Sequence, residues 1–304
     1  MKLSDYLEVF VPTHIVNANT DPYIENKMIE QTIRSCHETF KLEDVQFSIG
    51  PDARFKKSHP LLMDKYESYL RDMCDRLKLD GINAIVKKEN GETLRGNWVK
   101  FVNECKKPYM LFLEHDWKFI RHIEVKNIIQ SMEETKGVNY VRLSRFDLTK
   151  KYYNSMCSAS NWDWVCVEAK DISTKVPLTR ISFFSGNPHF AKVSFCRDFI
   201  VPALNKYCPL QKAKGASHLE KDIKKAEMYM IDEMRDCGFS NKSTDQEKAW
   251  GHQWPLSIGP HVGKGCQKCA DAICKQHVIW GNFMYGHQNE KAIVAHLGDW
   301  CSKK

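Results

Sequence analysis

From Leu7 to Asp116, apolar positions repeat with two different periods, and the alternation between them predicts the fold. Leu7–Ile15 (LEVFVPTHI) carries Val9, Phe10, Val11 and Ile15 and reads as a first strand, interrupted at Pro12-Thr13. Asp21-Pro22 then opens a helix, Asp as cap and Pro at the first position, with Ile24, Met28, Ile33, Cys36 and Phe40 on one stripe. Val45–Ile49 is a second strand that stops at Gly50-Pro51-Asp52. His59–Leu79 returns to helical spacing through Leu62, Tyr66, Leu70, Met73 and Leu77, and Ile82–Val86 is a short strand. Leu94, Trp98, Phe101, Val102 and Cys105 stripe the next helix. Strand and helix alternate throughout, which predicts an α/β chain with parallel strands, a doubly wound sheet and right-handed crossovers.

The pattern culminates in Tyr109–Trp117, YMLFLEHDW. Five apolar residues run unbroken, as they do in a strand buried on both faces, and then stop at Glu114-His115-Asp116. Open α/β sheets bind their ligands beyond the carboxyl ends of the strands. Two carboxylates and an imidazole placed there suit a hard divalent cation, which takes oxygen ligands and relieves the repulsion of buried carboxylates. The competing reading is a strand that simply reaches the surface.

Beyond Asp116 the pattern loosens. Ile120–Glu134 reads as a helix, Val138–Leu143 as a strand, and Lys150–Trp164 as a loop leading into Val165–Val167. Ile181–Phe184 is a strand running into Ser185-Gly186-Asn187-Pro188, a turn placed to form a pocket wall. Val193–Leu204 and His218–Met234 read as helices separated by a loop, Lys206–Ala216. Gly251, Gly259, Gly263, Gly265, Gly281, Gly286 and Gly298 concentrate in the last stretch, predicting a loop-rich C-terminal cover. The chain divides into 1–116, 117–250 and 251–304 within a single domain, with no internal repeat.

Composition narrows this little. At 304 residues there is ample core for an α/β domain. No stretch approaches the ~18 apolar residues of a membrane span. Asp5 and Glu8 occupy positions that a signal peptide would keep apolar, so the expected location is cytoplasmic. The twelve cysteines are scattered, several at apolar helix positions where a free thiol behaves as a small hydrophobe. A net charge of +7 suits anionic partners, but Lys and Arg are spread along the chain without a dense block.

In order and context these motifs resemble the nucleotide-sugar glycosyltransferases of the GT-A fold. The first strand ends VFVPT, the second FSIGPD, and the central one LFLEHD, in the place of that family's DxD motif. FFSGNPHFAK, a helix opening HLEKD, and YGHQNEKAIVAHLGD follow, so the resemblance runs roughly from Leu7 to Asp299. Small soluble transferases encoded by large DNA viruses are similar in size and in lacking an anchor. The resemblance implies a Rossmann-type sheet with helices on both faces, its first 116 residues forming the nucleotide-binding half and 117–250 the acceptor half. It also implies transfer of a sugar from a nucleotide-diphosphate donor to a glycan or other acceptor hydroxyl. By the same analogy Asp116 binds Mn²⁺ or Mg²⁺, and Glu114 faces the donor ribose or a metal-bound water. Thr13 and Asp52 face the nucleoside, and His296 completes the metal site. Glu114 departs from the family's first Asp.

The chemistry asks for two further groups. A departing diphosphate needs its charge stabilised, by the metal and by nearby Lys or Arg. An acceptor hydroxyl needs a base if configuration inverts, for which Glu220 and Asp222 are the candidates and Asp163, between Trp162 and Trp164, a weaker one. Ser217-His218-Leu219-Glu220 also fits a capping box, which gives Glu220 a purely structural reading. A different class of function is a nucleic-acid-binding protein using the positive charge and a zinc knuckle at Cys266, Cys269, Cys274 and His277. As one helix that segment would spread its ends about 16 Å apart, too far for one ion. Basic residues interleaved with aromatics, which nucleic-acid binding wants, are not seen.

Overall fold

The computed structural model describes residues 1–13, 27–52, 59–87, 93–135, 137–149, 174–180, 186–208, 219–223, 225–226, 282–286 and 290–297. A short helix α1 (Leu3–Tyr6) leads into β1 (Leu7–Thr13), followed by α2 (Met28–Phe40), β2 (Gln46–Pro51), α3 (Pro60–Leu79), β3 (Ala84–Val86), α4 (Leu94–Glu104) and β4 (Tyr109–Phe112). Next come β5 (Trp117–Phe119), α5 (Val125–Glu134), β6 (Tyr140–Arg142), β7 (Leu178–Arg180) and β8 (His189–Lys192). Helix α6 (Val193–Phe195) passes through a π-helical turn at Cys196–Ile200 into α7 (Val201–Tyr207). A helical segment α8 covers 219–223, and β9 (Asn282–Tyr285) and β10 (Val294–His296) close the described chain.

Among the described residues, eight strands form one sheet in the order β3-β2-β1-β4-β8-β6-β9-β7, and β5 and β10 form a two-stranded sheet beside it. β1 pairs in parallel with β2 on one side and with β4 on the other. The chain therefore builds outward from β1 to β3 and returns through α4 to β1's other edge, which makes the β1/β4 boundary a topological switch point. Past β4 the sheet is mixed. β8 runs antiparallel to both β4 and β6, and β7 antiparallel to β9, so the all-parallel expectation holds only for the first half.

Alternation along the strands assigns the core to two layers. Val9, Val11, Ile49, Leu111 and Leu113 pack with residues of α2, α3 and α5. Phe10, Met110 and Phe112 pack on the other face with Trp98, Phe101 and Val102 of α4 and with α6 and α7. Every residue of β4 is buried, as its apolar run predicts.

Several boundaries differ from the sequence reading, for physical reasons. Lys27 adopts a left-handed conformation (φ 51°) directly before α2, so no continuous helix runs from Asp21 to Phe40; 14–26 lie outside the described residues. The predicted helix at Ile120 begins only at Val125, because Trp117–Phe119 is taken up as a strand by β10. Of the predicted C-terminal cover, the described part supplies β9 within the main sheet and β10 beside it. Lys150–Trp164, Val165–Val167, Ile181–Phe184 and the Cys266–His277 segment lie outside the described residues. Among those described, no helix is long and apolar enough to cross a membrane, and Cys36, Cys105 and Cys196 are buried free thiols.

An ion-pair network joins α2 to α3. Glu30 accepts from Arg34 at 2.9 Å and from Arg76 at 2.8 Å, and Arg34 also reaches Asp80 at 2.6 Å. Burial would raise the Glu30 carboxyl, but the two guanidinium groups hold it below its ordinary value.

On the other face, the absence of a side chain at Gly50 sets the spacing of β2 from α4. A β-carbon there would lie 2.7 Å from Phe10 Cε2 and 2.9 Å from Cζ, and the Phe10 ring is itself stacked on Phe101 at 4.4 Å. Because the stacking on Phe101 opposes a shift of the Phe10 ring, Gly50→Ala is expected to destabilise the fold by about 1–3 kcal/mol, read as a lower urea midpoint at unchanged slope.

Candidate active site

Leu113 continues the pairing of β4 by donating its N–H to Phe10 O at 2.9 Å, and the chain then leaves the sheet at its carboxyl end. His115 is fully buried. Its Nδ1 lies 3.3 Å from Pro12 O, so Nδ1 carries the proton, and its own carbonyl accepts from Thr32 Oγ1 at 2.8 Å. Burial also lowers its pKa. Through Nδ1 and its carbonyl, His115 ties the end of β4 to β1 and α2.

The imidazole beside Asp116 comes instead from His296. Trp117 and His296 are register partners in the β5/β10 pair, and Leu297 N–H donates to Asp116 O at 2.7 Å. That pairing sets His296 Nε2 2.8 Å from Asp116 Oδ2, while the Trp117 ring meets the imidazole edge-on at 5.4 Å. The other carboxylate oxygen, Asp116 Oδ1, is buried and takes no hydrogen bond from another described residue.

Glu220 reaches the same place from α8. A β-carbon on Gly186 would lie 3.0 Å from Glu220 Oε2 and 3.7 and 3.8 Å from the two Glu114 oxygens. Carboxylates from the two halves of the chain therefore meet over one glycine. The turn bearing that glycine is pinned from behind: His189 Nδ1–H donates to Asn187 O at 2.8 Å, and Leu143 N–H donates to Pro188 O at 2.9 Å. The His189 ring stacks on Phe112 at 4.9 Å, and burial pushes its pKa down to about 3, so it stays neutral.

Charges are shared unequally in this cluster. Burial, reinforced by Asp116 and then Glu220, pushes the Glu114 carboxyl up to about 8; the Trp117 indole and His296 oppose the rise without cancelling it. Burial works against Asp116 too, but the His296 hydrogen bond and the neighbouring His115 hold it below the ordinary carboxylate range. At neutral pH Asp116 is the ionised member and Glu114 mostly keeps its proton.

Among the described residues, no three His, Cys, Asp or Glu side chains form a ready-made metal cage. The donor set still fits Mg²⁺ or Mn²⁺, because such ions commonly take one or two carboxylates and complete their shell with phosphate and water. The buried Oδ1 of Asp116 is the oxygen left available.

The remaining predicted residues fall into two groups. Thr13 and Asp52 sit together at the ends of β1 and β2, where Asp52 N–H donates to Thr13 O at 2.8 Å and Thr13 Oγ1 accepts from the Tyr66 hydroxyl. Asp222 faces Arg95 at 3.3 Å. The four Cys and His residues of the zinc-knuckle reading, together with Asp163, Trp162, Trp164, Ser217 and His218, lie outside the described residues. Sequence reasoning missed His189 and Arg95, both buried polar residues inside otherwise apolar stripes.

The Glu114 carboxyl makes stability depend on pH with a definite sign. It ionises near 4.5 in the unfolded chain and near 8 in the fold, so the folded state holds the extra proton between those values and stability falls as pH rises through that window. Glu114→Gln is expected to remove this slope and to gain on the order of a few kcal/mol over the natural chain at pH 9. Denaturant titrations of both proteins from pH 5 to 9 check it; parallel profiles overturn it.

No protein-family profile matches the chain, and no curated protein matches it. Similar solved structures include a galactosyltransferase, LgtC, in complex with donor and acceptor sugar analogues (10% identity, 72% of this chain and 69% of that one, TM-score 0.40). Another is mouse xyloside xylosyltransferase 1 in its apo form (9% identity, 96% and 97%, TM-score 0.43). A third is a CMP:2-keto-3-deoxy-manno-octonic acid synthetase complexed with CTP (9% identity, 75% and 86%, TM-score 0.39).

Proposed function

We propose that the protein is a metal-dependent glycosyltransferase that moves a sugar from a nucleotide-diphosphate donor to an acceptor hydroxyl with inversion of configuration. The observation that carries this reading is the convergence of Glu114, Asp116 and His296 with Glu220 at the carboxyl end of β4, across Gly186. The site lies at the switch point of the sheet, where ligands of open α/β folds bind.

Within that reading each group has one task. Asp116, ionised and with a free buried oxygen, holds Mn²⁺ or Mg²⁺ together with His296. The ion, when bound, offsets the negative charge that develops on a departing diphosphate. Glu114, in the same cluster, faces the donor ribose or a metal-bound water. Thr13 and Asp52 flank the nucleoside at the ends of β1 and β2. Glu220, which meets Glu114 over Gly186, takes the proton of the acceptor hydroxyl.

Donor and acceptor roles predict different failures. Asp116→Ala is expected to abolish Mn²⁺-dependent binding of UDP or GDP in calorimetry while the protein stays folded; unchanged affinity would sink the metal assignment. Glu220→Gln is expected to bind donor as the natural chain does and to lose transfer by ~10²–10⁴-fold. Near-normal transfer by that variant, or a product with retained anomeric configuration, overturns Glu220 as base. His296→Ala is expected to weaken metal binding less than Asp116→Ala does, since a neutral nitrogen attracts a cation less than a carboxylate; metal affinity equal to that of the natural chain removes His296 from the site.

A further inference from the structure

Arg95 is among the largest fully buried side chains of the protein, with about 1% of its surface exposed. It sits in the first turn of α4, and its guanidinium gathers two other elements. Nη2 donates to Leu204 O at 3.1 Å, and Nη1 donates to Cys208 O and to Asp222 Oδ2, the latter at 3.3 Å. Leu204 and Cys208 belong to the last turn of α7; the Leu204 carbonyl also accepts from Cys208 N–H at 2.9 Å, so Arg95 adds a second donor to it. Asp222 belongs to α8, whose backbone at the same residue also accepts from Cys208 Sγ at 3.6 Å.

A buried guanidinium is a poor device for stability alone. An apolar side chain of similar volume often serves equally well, whereas a fork of fixed donors specifies where its acceptors must lie. Three acceptors on two elements define the position of α8 against α4 and α7, and Leu219, Ile223 and Ala226 then pack into the same core layer. Helical geometry transmits this to the site. Residues two apart on an α-helix point about 200° away from each other. With Asp222 turned to Arg95, Glu220 is turned the other way, toward Gly186 and Glu114, as its 3.0 Å approach to the Gly186 β-position shows.

We infer that Arg95, acting through Asp222, is a positioning residue that sets Glu220 against Glu114 over Gly186. The inference rests on the assignment of Glu220 as the base. Asp222 thereby becomes the support of the base, not a second base.

Three measurements on Asp222→Ala test it. Donor affinity by calorimetry is expected to stay within twofold of the natural chain, while kcat falls about 10–100-fold, the scale of a 1 Å misplacement. The dependence of kcat on pH is expected to keep its midpoint, because the titrating base is still present. A crystal structure of the variant is expected to show the Glu220 carboxylate shifted by about 1 Å or more from Gly186. Asp222→Asn, which still accepts one hydrogen bond from Arg95, should recover most of the loss; Arg95→Lys, which keeps charge without the fork, should not, and these two are read in the same way if Asp222→Ala fails to fold. A rate within twofold of the natural chain, a parallel fall in donor affinity, loss of the pH dependence, or an unmoved Glu220 each overturns the inference. If the natural chain transfers sugar from no nucleotide-sugar donor, the functional reading falls, and the crystallographic position of Glu220 still decides whether Arg95 places it.

Discussion

Because β4 is buried on both faces and paired on both edges, it fixes the direction in which the chain must leave the sheet. Tyr109, Leu111 and Leu113 are committed to one core layer and Met110 and Phe112 to the other, so a slip of one residue would exchange the layers. The polar residues that follow therefore cannot be drawn inward or displaced along the sheet. They emerge at the β1/β4 switch point, with His115 locked to Pro12 and Thr32 between them. Glu114 and Asp116 are presented at the end of β4 by a register that burial, strand pairing and the His115 hydrogen bonds enforce together.

That presentation is costly to the fold. Three carboxylates and one imidazole share a largely dehydrated corner, and the protein tolerates this by distributing protons unequally. His296 stabilises charge on Asp116, and the same negative charge then helps keep the proton on Glu114. Strained electrostatics of this kind persists where surrounding structure over-determines the geometry, and here the surroundings are the β5/β10 pair, the His189-pinned turn and the Arg95 fork.

The sequence carried the parts of this that depend on local pattern. Leu7–Thr13, the FSIGP strand and the YMLF run each declare themselves by unbroken apolar or β-branched residues, and the carboxylates after β4 stand out by contrast. What it could not carry were elements whose identity is decided by a distant partner. Trp117–Phe119 looks like a helix approach until Val294–His296 pairs with it, and His189–Lys192 is a strand because β4 and β6 flank it. Short strands of three or four residues have little pattern of their own. Asp222 illustrates a related limit: two carboxylates in HLEKD are equivalent as text, and only a buried Arg95 far away in the chain separates their roles.

Gly186 shows how the two halves of the fold are made to cooperate. Glu114 arrives on the parallel half and Glu220 on α8, and both close on a turn that belongs to neither. A β-carbon there would lie 3.0 Å from Glu220 Oε2, so the glycine leaves room for that carboxylate beside Glu114. The nearness of Glu220 contributes to the high pKa of Glu114. The turn that carries the glycine is held by His189 and Leu143, and α8 by Arg95, so both sides of this approach rest on buried hydrogen bonds.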